Sequence, residues 1–370
     1  MKEKPLVSFV FGTRPEAIKL APVILKFQKC EEINTKIIFT GQHKDLIKPI
    51  LDLFNLKVDK NLNIMKIGQS LAEINSKILL GLTKEFELNK SSLVVVQGDT
   101  TSAMAASLAG FYKNIKIAHI EAGLRTDDLM NPFPEEANRR IISQIATLNF
   151  APTAEAKENL LRSGISSHIE VTGNTVIDAL MLIADKQKLE FDKESSNANQ
   201  KFILATVHRR ENWGSKLEQI AYGFKDIVDQ FQDISIIIPM HPNNIVRKVL
   251  KKILGKNNRI VLTESLPYDQ FIKTMYKSKF ILTDSGGLQE EAPSLNKPVL
   301  ILRNTTERQE AVNAGTAKII GTKREDILRE AKNLILNNAD YQKMANAKNP
   351  FGDGNASERI LKSSKKFLFE

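Results

Sequence analysis

The stretch Lys279-Phe-Ile-Leu-Thr-Asp-Ser-Gly-Gly-Leu-Gln-Glu-Glu291 runs from an apolar strand into a Ser-Gly-Gly turn and then a helix. Its glycines leave backbone N–H groups open to close approach by an anion, and the helix N-terminus adds a favourable dipole. Glu291, one turn further on, is placed to hold ribose hydroxyls, so a nucleotide diphosphate suits the segment. An ordinary strand-to-helix turn, whose early acid merely complements the dipole, fits the same residues. The sequence on either side separates the two readings.

Short apolar, often β-branched runs recur at 6–11, 36–40, 93–96, 115–120, 148–151 and 169–172. A second set follows at 202–207, 234–239, 259–263, 280–283, 298–302 and 318–320, again with helical patterns between the runs. Continuous apolar runs alternating with helices predict strands buried on both faces, in parallel βαβ units. The expected fold class is therefore α/β, with two Rossmann-like doubly wound parallel-sheet domains facing a cleft. The expected boundaries are 1–173 for an N-terminal domain carrying carboxylates and 174–355 for a C-terminal nucleotide-binding domain. Residues 356–370 form a last helix, for which packing back on the N-terminal domain is one arrangement. The polar segment 185–201 is the most linker-like part of the chain.

Composition narrows the function classes. The 370 residues are 42% apolar and 26% charged, as in ordinary globular proteins. No apolar run approaches the ~20 residues that span a bilayer, and the N-terminus lacks a signal-peptide pattern. A single cysteine, Cys30, excludes an intramolecular disulfide and suits a cytoplasmic location. The net charge of +10 comes from lysines scattered over polar segments, with no interleaved aromatics, so neither nucleic acid nor membrane is expected as a partner. Five histidines with no pair at ligand spacing predict no metal site. No Gly-x-Gly-x-x-Gly follows a strand, so a Rossmann-type NAD site is not supported, and no cofactor is expected.

In parallel sheets ligands bind beyond the carboxyl ends of the strands, and reactive residues gather there in this sequence. Gly12-Thr-Arg-Pro-Glu-Ala-Ile-Lys-Leu-Ala-Pro22 follows the first run. Thr13 and Glu16 fit a capping box, which places Arg14 at a helix mouth and Lys19 one turn along, either as phosphate contacts or as solvated groups. Gln97-Gly-Asp-Thr-Thr101 follows the third run, where Asp99 is either a helix N-cap or a catalytic acid. His119-Ile-Glu-Ala-Gly-Leu-Arg-Thr126 puts Glu121 at the next strand end, where it has no capping task. Pro134 starts a helix on which Glu135/Arg139 and Glu136/Arg140 are spaced as i,i+4 pairs. Asp99, Glu121 and one of Glu135 and Glu136 would converge, their repulsion tuning them for proton transfer. His208 ends the second set's first strand, beside Arg209 and Arg210, and His241 ends the next; His43 follows the 36–40 run.

These segments, with Gly173-Asn-Thr-Val-Ile-Asp178, Asp284-Ser-Gly-Gly-Leu-Gln-Glu-Glu-Ala-Pro-Ser294 and Arg303-Asn-Thr-Thr-Glu-Arg308, resemble the non-hydrolysing UDP-N-acetylglucosamine 2-epimerases. The motifs occur in the family's order and cover nearly the whole chain. The resemblance implies a glycosyltransferase-B-like fold with UDP in the interdomain cleft. It implies reversible conversion of UDP-GlcNAc to UDP-ManNAc through loss of UDP to a 2-acetamidoglucal, supplying activated sugar for cell-surface polysaccharide. By resemblance, Asp99, Glu121, Glu135 and His208 are catalytic. Arg14, Lys19, Arg139, Phe271, Ser285, Gly286, Gly287, Glu291 and Arg308 are substrate- or UDP-binding. Gln42, His43, Gln69, Arg209 and His241 resemble positions that bind a second UDP-GlcNAc as activator, and a homodimer is implied. Competing expectations are a hydrolysing 2-epimerase that liberates UDP, an epimerase for a modified UDP-GlcNAc, a retaining sugar transferase, and a nucleotide-sugar sensor without turnover.

Overall fold

The computed structural model describes residues 4–42, 44–66, 68–126, 128–189 and 201–370. The chain divides into two compact units, Met1–Met181 with Phe351–Glu370, and Leu182–Pro350. The first holds β1 (Leu6–Phe11), β2 (Asn34–Phe39), β3 (Lys60–Asn61), β4 (Leu93–Gln97), β5 (Lys116–Ile120), β6 (Leu148–Ala151) and β7 (His168–Val171). The second holds β8 (Phe202–Thr206), β9 (Ser235–Pro239), β10 (Ile260–Thr263), β11 (Ile281–Thr283), β12 (Val299–Ile301) and β13 (Ala317–Ile319). Every apolar run of the sequence became a strand. β3 had no signal, because Lys60 and Asn61 are exposed and carry no apolar pattern.

Both sheets are parallel throughout, in the orders β3-β2-β1-β4-β5-β6-β7 and β10-β9-β8-β11-β12-β13. Counted from its own first strand, each runs 3-2-1-4-5-6, with β7 added to the first. This is the doubly wound order, and its winding reverses between β1 and β4 and between β8 and β11. β1 pairs with β2 through Phe9↔Ile37 and with β4 through Phe9↔Val95. β8 pairs with β9 through Leu204↔Ile237 and with β11 through Leu204↔Ile281. The central strands Leu-Val-Val-Val-Gln of β4 and Val-Leu-Ile of β12 are buried at every position, as helices on both faces require.

The unit boundary differs from the sequence expectation near residue 173. The helix Thr175–Lys186 begins inside the first unit, where Asn174 N donates to Phe351 O at 2.6 Å. Its buried Asp178 carboxylate accepts from Ala356 N (3.2 Å), Ser357 N (2.7 Å) and Ser357 Oγ (2.5 Å). Asp178 thus caps the last helix, Ala356–Phe369, from far away in sequence. That helix packs on Arg14–Gln28, with Lys26 Nζ 2.9 Å from Glu358, and Arg359 donates to Thr172 O at 2.9 Å. The chain therefore returns to the first unit at 351, a few residues before the expected 356. No helix among the described residues is long and apolar enough to cross a membrane.

Removing this remote cap should be felt in the first unit. Asp178→Ala is expected to cost about 2 kcal/mol, because three donors lose their acceptor in a buried place. Denaturant unfolding and amide exchange along 356–369 measure this. Unchanged protection of that helix would contradict the capping role.

Candidate active site

In the first unit the crevice at the winding reversal is closed by Glu16. Its carboxylate accepts from Gly12 N (3.0 Å), Thr13 N (2.7 Å) and the Thr100 hydroxyl (2.6 Å), joining the loops after β1 and β4. Burial pushes its pKa up, and these three bonds oppose that shift. Gly12 is needed for closeness: a Cβ there would lie 2.2 Å from Ser102 Oγ and 2.4 Å from Thr40 Oγ1. Arg14 sits in the first turn of the next helix, half-buried, with no hydrogen bond or ion pair to the described residues.

Glu121 follows β5 with φ +64, the left-handed region that a residue with a Cβ rarely occupies. Both its oxygens lie 2.7 Å from Lys19 Nζ. Gln97 Nε2 donates to it as well, and Asn174 Nδ2 approaches Oε1 at 3.4 Å. This changes the expected place of Lys19, whose charge meets a carboxylate of the same unit. Asp99 is not the N-cap of the helix Thr101–Tyr112; Thr100 is, accepting from Ala103 N at 3.1 Å. Asp99 instead pairs with Arg139, at 2.9 Å to Nε and 2.6 Å to Nη2.

The next helix, Glu135–Ile145, resolves which of its two first acids is committed. Glu136 is fully buried and takes Thr126 N (3.1 Å), Arg139 Nη1 (3.3 Å) and Arg140 Nε (2.8 Å). Glu135 is half-buried and has no hydrogen bond or ion pair among the described residues, so the expected Glu135/Arg139 pair does not form. Asp99 and Glu121 each face their own cation, because parallel strand ends bring Lys19 and Arg139 to them.

Sequence reading assigned no role to His119, which lies beneath this turn. Its Nε2–H donates to Gly98 O at 2.7 Å, and burial pushes the imidazole down to about 4. A neutral ring therefore supports the backbone that carries Asp99. Its Nδ1 has no partner among the described residues.

In the second unit Asp284 does the closing. It is fully buried and accepts from His208 N (3.0 and 3.1 Å), Arg209 N (2.9 Å) and Asn212 Nδ2 (3.0 Å), while His208 Nδ1 lies 3.1 Å away. Burial alone would raise its pKa, but the His208 ring and these N–H groups outweigh burial and hold it below the usual carboxylate range. No sequence-based role attaches to Asp284. Its signal was a carboxylate directly ahead of Ser-Gly-Gly at a strand end.

Beyond Asp284, Ser285 N donates to Thr283 Oγ1 at 2.9 Å, and the helix Gly286–Glu291 begins. Gly286 and Gly287 do not adopt positive φ, and a Cβ on Gly286 would first meet Arg209 Nη2 at 3.6 Å and Arg308 at 4.0 Å. The chain has room for side chains there. Arg308 also pairs with Glu290. Glu291 accepts from the Tyr268 hydroxyl at 2.8 Å, and Phe271 lies half-buried one turn along from Tyr268.

The activator candidates fall in both units. Gln42 Oε1 accepts from Ser102 Oγ at 2.9 Å, and Gln69 Oε1 from Lys66 N. Arg209 flanks Gly286, and the His241 ring stacks on His208 with centroids 5.6 Å apart. His43 lies outside the described residues.

Two doubly wound parallel domains, each with charged groups gathered beyond its strand ends at the winding reversal, define the glycosyltransferase-B-like class of α/β protein. The family model for UDP-N-acetylglucosamine 2-epimerase matches residues 25–365, and the chain belongs to that family. It is 46% identical over 367 residues to the UDP-N-acetylglucosamine 2-epimerase of Campylobacter jejuni, covering 96% of each. It is similar to the crystal structure of the Neisseria meningitidis UDP-GlcNAc 2-epimerase bound to UDP-GlcNAc, with TM-score 0.88 and 47% identity over 98% of this chain and 100% of that one. A UDP co-structure of S. aureus MnaA matches with TM-score 0.87 and 42% identity, over 98% and 97% of the two chains.

The buried imidazole makes stability pH-dependent in a defined direction. His119 titrates near 6.5 when unfolded and at about 4 when folded, so the unfolded chain binds the proton first as pH falls. Its contribution is complete above about pH 6.5, declines below, and is lost by about pH 4, amounting to about 3 kcal/mol. His119→Gln should lack this slope. A difference between wild type and variant that stays flat over that window in denaturant titrations would contradict it.

Proposed function

We propose that this protein reversibly epimerises UDP-N-acetylglucosamine at C2 to UDP-N-acetylmannosamine, by eliminating UDP and adding it back. The observation that carries the reading is the intact acid set of Asp99, Glu121 and Glu135 in a chain that matches epimerases end to end. Lys19, Gln97 and Asn174 bring N–H donors to Glu121, as an acceptor-only carboxylate requires. Such a group is suited to take the C2 proton while the C1–O bond breaks and UDP departs, leaving a 2-acetamidoglucal. Protonation of the other face of C2 and return of UDP complete the reaction. Glu135, with no protein partner among the described residues, is suited to exchange that proton.

The C2 proton is not acidic, so the departing diphosphate must be well stabilised. Gly286 and Gly287 support this role: neither φ nor crowding within the chain demands glycine, whereas an anion drawn close to their N–H groups does. Arg308, Arg209 and His208 supply positive or proton-donating groups to the diphosphate, and Arg14 another. Glu291, oriented by Tyr268, holds the ribose, with Phe271 beside the base. A second UDP-GlcNAc acting as activator would use Gln42, Gln69, Arg209 and His241. A homodimer is supported by the exposed Leu80, Leu88, Phe111 and Tyr112 on helices Leu71–Leu88 and Thr101–Tyr112, whose ends Lys113 and Glu87 bridge at 2.5 Å. A cytoplasmic location suits a substrate of this kind.

In heavy water, product and recovered substrate should carry deuterium at C2 with UDP retained; unlabelled product or net release of UDP would sink the reading. Asp99→Asn and Glu121→Gln are expected to slow turnover about 10²- to 10⁴-fold while UDP still binds. Arg14→Ala and Glu291→Ala should instead weaken UDP, about tenfold or more, in calorimetric titration. Equal loss of folding in all four would contradict the division of labour. Leu80→Glu combined with Phe111→Glu should yield monomers by light scattering, and an unchanged mass would remove that face as the dimer contact.

A further inference from the structure

The carboxylate that closes the second sheet also touches a ring that the reaction uses. Asp284 is fully buried, and its Oδ1 lies 3.1 Å from Nδ1 of His208, whose side chain is 33% exposed. The carboxylate cannot swing away, because the N–H groups of His208 and Arg209 and the Asn212 amide hold it at 2.9–3.1 Å. Asn212 is fixed in turn by Leu302 O at 3.1 Å. His208 Nε2 has no partner among the described residues. The ring is held from its face as well, since His241 stacks on it at an interplanar angle of 18°.

His241 carries the opposite arrangement. Its Nδ1 accepts from Asn243 N at 3.2 Å, so a neutral His241 bears its proton on Nε2. Burial pushes its pKa down, the His208 charge adds to that, and Asp284 opposes it. Among the described residues, the ionisable side chains in contact with the His208 ring are Asp284, just past β11, and His241, from the loop after β9, while Arg209 follows it in the chain.

We propose that Asp284 is a positioning residue that holds His208 in the Nδ1–H tautomer and keeps Nε2 for the diphosphate. The inference rests on the reading of His208 given above. A free imidazole favours the Nε2–H form, and a carboxylate fixed at Nδ1 reverses that preference. With Nδ1–H on Asp284, the free Nε2 lone pair takes a proton from solvent, which reaches the partly exposed ring, and the imidazolium so formed donates Nε2–H to the leaving diphosphate oxygen while Nδ1–H stays on the carboxylate. In the other tautomer the Nδ1 lone pair faces the carboxylate, and that repulsion turns the ring out of the orientation in which Nε2 meets the diphosphate. The Asp–His arrangement of serine proteases works by the same physics.

The test is nitrogen-15 NMR of the full-length, histidine-labelled protein at a pH where both rings are neutral. His208 should show protonated Nδ1, and His241 protonated Nε2, as an internal reference. Asp284→Asn should move His208 to the Nε2–H form and lower kcat about 10²- to 10⁴-fold, with KM changing far less. In a His208→Gln background the same substitution should cost little more. Asn212→Ala, which loosens the clasp without touching the ring, should keep the tautomer. A wild-type His208 in the Nε2–H form overturns the proposal, and decides it even if Asp284→Asn does not fold. So does an Asp284→Asn penalty of equal size with and without His208. Absence of epimerase turnover in the wild type would fail the functional reading alone, since the tautomer is read on the free protein.

Discussion

Where a doubly wound sheet reverses, its strand ends part and leave main-chain N–H groups without ladder partners in the crevice. Both sheets of this chain meet that constraint with one buried carboxylate. Glu16 gathers the N–H groups of Gly12 and Thr13 and reaches the Thr100 hydroxyl beyond β4. Asp284, coming from the opposite side of its reversal, gathers the N–H groups of His208 and Arg209 beyond β8. Burying a carboxylate is costly, so each persists only because several donors converge on it. Some of the candidate site residues stand immediately next to these clasps: Arg14 and Asp99 in one unit, His208 and Ser285 in the other.

Within the first unit two of the three candidate acids are paired with cations. Lys19 stands on Glu121 and Arg139 on Asp99, which leaves Glu135 as the acid without a protein cation among the described residues. The left-handed backbone at Glu121 costs about 1–2 kcal/mol and is retained because Lys19, Gln97 and Asn174 hold the side chain it aims. Strain of this kind at a buried carboxylate accords with a site shaped for reaction more than for stability.

Much of this arrangement was legible from residues alone. Apolar runs buried on both sides mark strands irrespective of partners, so all but the two-residue β3 were found, and the residues just past those runs included Asp99, Glu121, His208 and Ser285. What could not be read was pairing between segments far apart in the chain. Lys19 could be read as a phosphate contact or as a solvated group, and its pairing with Glu121, a hundred residues on, left no local signal. Glu135 and Glu136 carry the same local signal, and only the packing of Thr126 and Arg140 commits Glu136. The boundary near 173 moved because Asp178 caps a helix at the far end of the chain.

The sequence by itself determined the two parallel sheets, the positions of the candidate residues along them and the family, since periodicity and strand-end motifs are local properties of the chain. Tertiary structure alone decided which carboxylate meets which cation, that Glu121 sits in a strained backbone, and that the aspartate ahead of the Ser-Gly-Gly turn grips a histidine just past the end of the neighbouring strand. Those outcomes depend on distances of a few ångströms between groups that sequence separates by tens to hundreds of residues, and only the folded sheets bring such groups within hydrogen-bonding reach.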